Sequence, residues 1–146
     1  MFLLLALIVS ACNGSDPNPK LDIPDVPINR TINLDNPQYY QLQQPNGFIY
    51  LDDEGAKGVV VVNDNSGSYV ALERNCTYDS RNTCAKVTMD KSGLYLLCGH
   101  YDDVGNFVEC CSSKFAQDGG VINDPAIYGL IRYRTALNGS ILTISN

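Results

Sequence analysis

One histidine, His100, stands in 146 residues, which excludes any site that needs two imidazoles from a single chain. Basic side chains are also few: 10 Lys and Arg against 16 Asp and Glu leave a formal charge of −6. A nucleic-acid binder needs a basic face to neutralise phosphates, so that partner class is excluded. No window shows a long apolar stripe of helical period with caps, and there is no internal repeat. The apolar run Phe2–Ala11 falls short of the roughly 20 residues needed to cross a bilayer. What the chain does have is 45% hydrophobic side chains, which argues against disorder, and six cysteines. Its length suits one domain with a short appendage.

The apolar run has the length of a signal peptide and ends in Val9-Ser10-Ala11-Cys12, which resembles a bacterial lipobox. The resemblance implies that residues 1–11 are removed and that Cys12 becomes the lipidated first residue. No Lys or Arg precedes Lys20, a departure from such signals. Acyl chains on Cys12 would make the membrane a partner and place the protein in the cell envelope, on a periplasmic or outer-membrane face. Such a compartment permits disulfides. The triplets Asn75-Cys76-Thr77 and Asn138-Gly139-Ser140 are sequon-like and support a rival reading of eukaryotic secretion. Residues 12–29 carry four prolines and little apolar surface, which predicts an extended tether.

From residue 30 to 146 the pattern is all-β. Val59–Val62 and the alternating Ser68–Glu73 flank Asn63–Gly67, a hairpin signature. Leu94–Cys98 and Phe107–Cys110 flank a polar loop holding Asp102, Asp103 and Gly105. Ile131–Leu137 and Ser140–Ile144 meet across Asn138-Gly139, which predicts a type I′ turn. A short helical turn fits Gln38–Leu42. Strands this closely spaced predict a small sandwich or barrel.

Other chemistry finds little support in the residues. Ser112 and Ser113 with His100 lack any Gly-x-Ser-x-Gly setting, and serines in a turn read as backbone-bonding groups. Asp52-Asp53-Glu54 and Asp102-Asp103 lack the oxygen spacing of a calcium loop and read as solvated turns. Cys98-Gly99-His100 contains the lone histidine, expected in a surface loop. Tyr39, Tyr40 and Tyr101 form a candidate binding patch.

Four stretches occur in the order of a known family: Cys76-Thr77-Tyr78, Cys110-Cys111-Ser112-Ser113-Lys114-Phe115, Gly119 through Ala126, and Tyr133 through the terminal hairpin. The chain resembles the Rieske-type iron–sulfur domains, in particular small lipoproteins of that type from Bacteroidetes-like bacteria. The resemblance implies a Rieske-like arrangement of small antiparallel sheets whose two cysteine loops meet at one tip. A Rieske [2Fe–2S] centre takes two Cys on one iron and two His on the other. Those four ligand positions correspond here to Cys76, Tyr78, Val108 and Cys111, so one ligand is retained in kind. The expectation is the fold without its cofactor, with no metal and no catalytic residue.

The family commonly joins its ligand loops by a disulfide, which corresponds here to Cys84–Cys110. Cys76 and Cys111, at former ligand positions, should then lie close together, and a second bridge there could replace the cluster. Cys98 is left over on this pairing, although Cys98–Cys111 is an alternative and connectivity is not settled by spacing. A four-thiolate cluster on Cys76, Cys98, Cys110 and Cys111 is disfavoured because adjacent strand residues point to opposite faces. Three functions are carried forward: an envelope binding or structural module that has lost its cluster, a [2Fe–2S] electron carrier, and a thiol–disulfide redox protein. The third would work through Cys110-Cys111 and Cys98, although it lacks the Cys-x-x-Cys and helix N-terminus that lower a thiol pKa.

Overall fold

Residues 22–146 are described by a computed structural model; the signal segment, Cys12 and the first part of the tether lie outside the described residues. The strands are β1 (Asn29–Asn33), β2 (Phe48–Leu51), β3 (Val59–Asn63), β4 (Tyr69–Glu73), β5 (Val87–Met89), β6 (Tyr95–Tyr101), β7 (Phe107–Ala116), β8 (Val121–Asn123), β9 (Arg132–Asn138) and β10 (Ile141–Ser145). The short helical turn is a 3-10 helix over Pro37–Gln43, started by Pro37 and capped by Asn36, whose side chain accepts the Gln38 N–H. A six-stranded sheet runs β1-β10-β9-β4-β3-β2, and a four-stranded sheet runs β5-β6-β7-β8. The all-β, small-antiparallel-sheet expectation holds.

The valine run explains how the two sheets are packed. All four of Val59–Val62 are fully buried, yet a strand points successive side chains to opposite faces. Val60 and Val62, with Val70 and Leu72 of the paired β4, pack against Val87, Leu96 and Phe115 of the four-stranded sheet. Val59, Val61, Tyr69 and Ala71 face the other way and meet Ile32, Leu42, Leu51, Leu142 and Ile144. Ile32 lies on one edge strand of the large sheet and Leu51 on the other, so the sheet curls around this second core. The central hairpin is thus sandwiched, and two hydrophobic chambers share its backbone.

Polar ties lock these layers. Glu73 is fully buried and accepts hydrogen bonds from the Ala56, Lys57 and Asn75 N–H groups and from the Tyr133 hydroxyl. Arg74, also buried, donates Nε–H to the Val87 carbonyl, pairs with Asp52 at 2.7 Å and stacks on the Tyr50 ring at 3.7 Å. It therefore links the end of β4 to β5, joining one sheet to the other.

Two local expectations change. Asn138 pairs directly with Ile141, so the terminal turn is Gly139-Ser140, with positive φ at Gly139 alone of the two. That is the II′ pattern, one residue later than the expected I′ turn; Asn138 remains in the ladder and only its glycine needs the left-handed region. The part of the tether that is described is also not free of the body. Ile23 and Ile28 are buried, the Ile28 N–H donates to the Asn146 side chain, and Asp22 pairs with Arg81 at 2.8 Å. Two isoleucines among the prolines suffice to dock the segment, and β1 begins at Asn29.

Candidate functional site

The β6–β7 ladder contains the irregularity that builds the site. Leu97 pairs with Lys114 and Gly99 with Glu109, so one residue of β6, Cys98, stands opposite the four residues Cys110–Ser113 of β7. Such a bulge bends the strand and redirects its side chains. Gly99 makes it possible: its φ is 146°, and a Cβ there would lie 2.2 Å from the Val108 carbonyl oxygen. Only glycine allows the β7 backbone that close.

Within the bulge the two adjacent cysteines take separate partners. Cys110 forms a disulfide with Cys84, with Cα atoms 5.6 Å apart, tying the segment before β5 to β7. The bond closes a 26-residue separation, as the resemblance implied for this pair. Cys111 turns to Cys76, with the sulfurs 3.9 Å apart, and both are free thiols. The second bridge considered for this pair is therefore not formed, since a disulfide needs sulfurs about 2.05 Å apart. Cys98, left over in the sequence reading, completes a triangle: the three sulfurs of Cys76, Cys98 and Cys111 all lie within 4.8 Å of one another. Cys76 and Cys98 are buried and Cys111 is half-buried.

The three thiols do not share protons equally. Hydrogen bonding from Cys98, assisted by the Tyr78 N–H, Cys111 and the positive charge of Lys57, lowers Cys76 to about 7 against the cost of burial. Cys98, which donates to Cys76 and is itself buried, is pushed upward and holds its proton. The Lys57 ammonium is anchored by the Ser80, Asn82 and Ala85 carbonyls, and burial lowers its own pKa while the nearby cysteines oppose that. Low thiol pKa values arise beside such positive charge.

Hydrogen bonds join three loops over this cluster. The Ser113 hydroxyl, buried, accepts the Ala126 N–H at 2.9 Å and the Cys111 S–H at 3.3 Å. Ser112 Oγ donates to the Asp124 carbonyl, and Thr77 Oγ1 donates to the Tyr128 carbonyl. The serines are thus backbone-bonding groups, as expected, whereas His100 is exposed but lies within strand β6, paired with Val108, and not in a loop. Asp102 accepts the Val104 and Asn106 N–H groups in a solvated turn. Of the three tyrosines, Tyr39 packs on the second core, Tyr40 is exposed, and Tyr101 meets Phe107 in the four-stranded sheet, ring centroids 5.3 Å apart. The buried side-chain oxygen Asn75 Oδ1 has no hydrogen-bond partner among the described residues.

The residues present do not fit a Rieske centre. Cys76 and Cys111 are close together, but Tyr78 and Val108 are exposed, Val108 has no donor atom, and the lone histidine is outside the thiol group. Nor do four thiolates converge, because Cys110 is spent in the disulfide. Cys98, expected as the leftover cysteine or as an alternative partner of Cys111, instead joins Cys76 and Cys111 as a third free thiol. Its following glycine, the mark of a bulge or close backbone approach, was the available signal.

Among the described residues no helix is long and apolar enough to cross a membrane. No family model and no curated protein matches the chain. Among solved structures the chain is similar to the cyanobacterial plasma membrane Rieske protein PetC3 from Synechocystis PCC 6803, with 27% sequence identity and a TM-score of 0.47, over 67% of this chain and 83% of that one.

Proposed function

We propose that this chain is a Rieske-like domain that has lost its [2Fe–2S] cluster and serves as a disulfide-stabilised binding or structural module of the cell envelope, anchored through lipid on Cys12. The observation that carries the reading is the donor set at the four positions corresponding to the family's ligands: Cys76 and Cys111 as thiols, Tyr78 and Val108 exposed. The order of the four sequence stretches and the Cys84–Cys110 bridge support the family resemblance. The test is an assay of iron and acid-labile sulfide on protein purified anaerobically, with its visible spectrum recorded. Iron-free, colourless protein is expected. Stoichiometric iron with a reducible chromophore would establish the electron carrier instead. Anchoring has its own test: Cys12→Ala should move the protein from the membrane fraction to the soluble one.

One observation favours a thiol–disulfide reading as a second possibility, moved from Cys110-Cys111 and Cys98 to another pair because Cys110 is bonded to Cys84: the free sulfurs of Cys76 and Cys111 lie 3.9 Å apart. That reading requires a Cys76–Cys111 bond that forms and breaks at mild potentials, which a redox titration with thiol counting detects.

A further inference from the structure

Among the described residues the disulfide leaves three thiols, and their sulfurs converge, two of them buried and one half-buried. We propose that Cys76, Cys98 and Cys111 form a site for a single thiophilic closed-shell cation, either Cu(I) on three sulfurs or Zn(II) with its fourth position open beside Cys111. This rests on the reading that no [2Fe–2S] centre occupies the two loops.

The geometry is that of a three-sulfur site before the ion arrives. A point equidistant from three sulfurs spaced like Cys76 and Cys111, 3.9 Å apart, lies about 2.3 Å from each. That is the length of a metal–thiolate bond to zinc. At the outer limit of 4.8 Å the distance becomes about 2.8 Å, so a contraction of a few tenths of an ångström brings every sulfur into range. The three donors come from separate parts of the chain, namely the segment after β4, the β6 position opposite the bulge, and the bulge itself. Their approach is therefore held by the fold and by the neighbouring disulfide.

The chemistry of the surroundings selects the ion. The metal-competent group contains no carboxylate and no imidazole, which disfavours Mg²⁺ and Ca²⁺ and favours soft cations. Val87, Leu96, Phe115 and Ala126 share the same apolar chamber, so water is largely excluded from the Cys76 and Cys98 side. Half-buried Cys111 supplies the entry path, and the Ser113 hydroxyl within hydrogen-bond distance of its sulfur orients it, as outer groups do at metal sites. Three thiolates around Zn²⁺ carry a net charge of −1, which the fixed Lys57 ammonium offsets. Binding exchanges S–H bonds for S–metal bonds and releases the thiol protons to solvent.

The experiment uses the full chain with Cys84–Cys110 intact, stripped of metal and handled anaerobically. Zn(II) and Cu(I) are each titrated in against a chromophoric chelator, and bound metal is counted and its sulfur neighbours are determined by X-ray absorption. One ion per chain with three sulfur ligands is expected. Three sulfurs alone with Cu(I) assign the copper arm, and three sulfurs plus one oxygen with Zn(II) assign the zinc arm. Cys98→Ser should weaken binding at least about 100-fold, the upper end of what loss of a supporting hydrogen bond alone does. Should that variant not fold, the sulfur count on the unaltered protein decides. Iron-free protein that takes up neither ion, or that binds it without sulfur ligands, overturns the site alone. Iron with acid-labile sulfide overturns the site and the clusterless reading together.

Discussion

Val59 and Val60 are neighbours in sequence, both fully buried, and face different kinds of interior. Val59 looks into a chamber of aliphatic side chains closed by tyrosines, whose polar demand is met by Glu73 with four hydrogen bonds. Val60 looks into a chamber that holds three reduced thiols and borders a disulfide. One hairpin thus serves two interiors through its two faces, one of packed side chains around a buried carboxylate and one that encloses the thiols.

Removal of the buried carboxylate of the first chamber should have the largest effect. Glu73→Ala leaves three N–H groups and one phenol without their acceptor, and about 4 kcal/mol of stability should be lost. Denaturant unfolding measures it, and the native free-thiol count should stay at that of the unaltered protein. If the thiol count rises together with the loss, the two chambers are not separable. Replacing both Cys84 and Cys110 by serine acts on the second chamber. Closure of a loop with 26-residue separation is worth about 3 kcal/mol through the unfolded chain. Thermal unfolding should show that loss and reductant should show the same loss in the unaltered protein. Cys98→Ala deletes one buried sulfur and should cost about 1 kcal/mol, a mild effect for a core position. A cost near that of Glu73→Ala would mean the thiols are structural after all.

The smallest effect concerns pH. The Lys86 hydrogen bond, together with the Arg74 charge, holds the Asp52 carboxyl below its ordinary range. A carboxylate with a lowered folded pKa stabilises above its unfolded value, near 3.9, and the contribution is lost as pH falls through the folded one. Asp52 is 66% exposed, so solvent screening keeps this below about 1 kcal/mol. Asp52→Asn should therefore lower stability at neutral pH and flatten the decline toward acid, as followed by unfolding at a series of pH values.

Much of the architecture was readable because local signals agreed with it. The Asn63–Gly67 turn, the valine run and the terminal hairpin each carry their own turn chemistry or alternation, and each pairing forms as expected, the terminal turn alone shifting by one residue. The Cys84–Cys110 bridge followed from the family resemblance, not from spacing, and its presence ties the two loops together. Cys98 was a candidate only in sets that also used Cys110 or in a bridge to Cys111; its grouping with Cys76 and Cys111 depends on the bulge in a partner strand, a tertiary fact with only Gly99 as a local trace. Ile23 and Ile28 were hidden by the prolines around them; docking depends on what surface lies nearby, which composition does not report.

The divergence of Cys110 and Cys111 has a consequence for how the protein oxidises. Exchange between a thiol and a disulfide needs a thiolate to approach along the axis of the sulfur–sulfur bond. Here the bulge sends one cysteine toward Cys84 and its neighbour into a separate cluster whose sulfurs are already engaged with one another. In the finished fold a single peptide bond separates the oxidised pair from the reduced cluster, and each of the two neighbours is held by partners of its own.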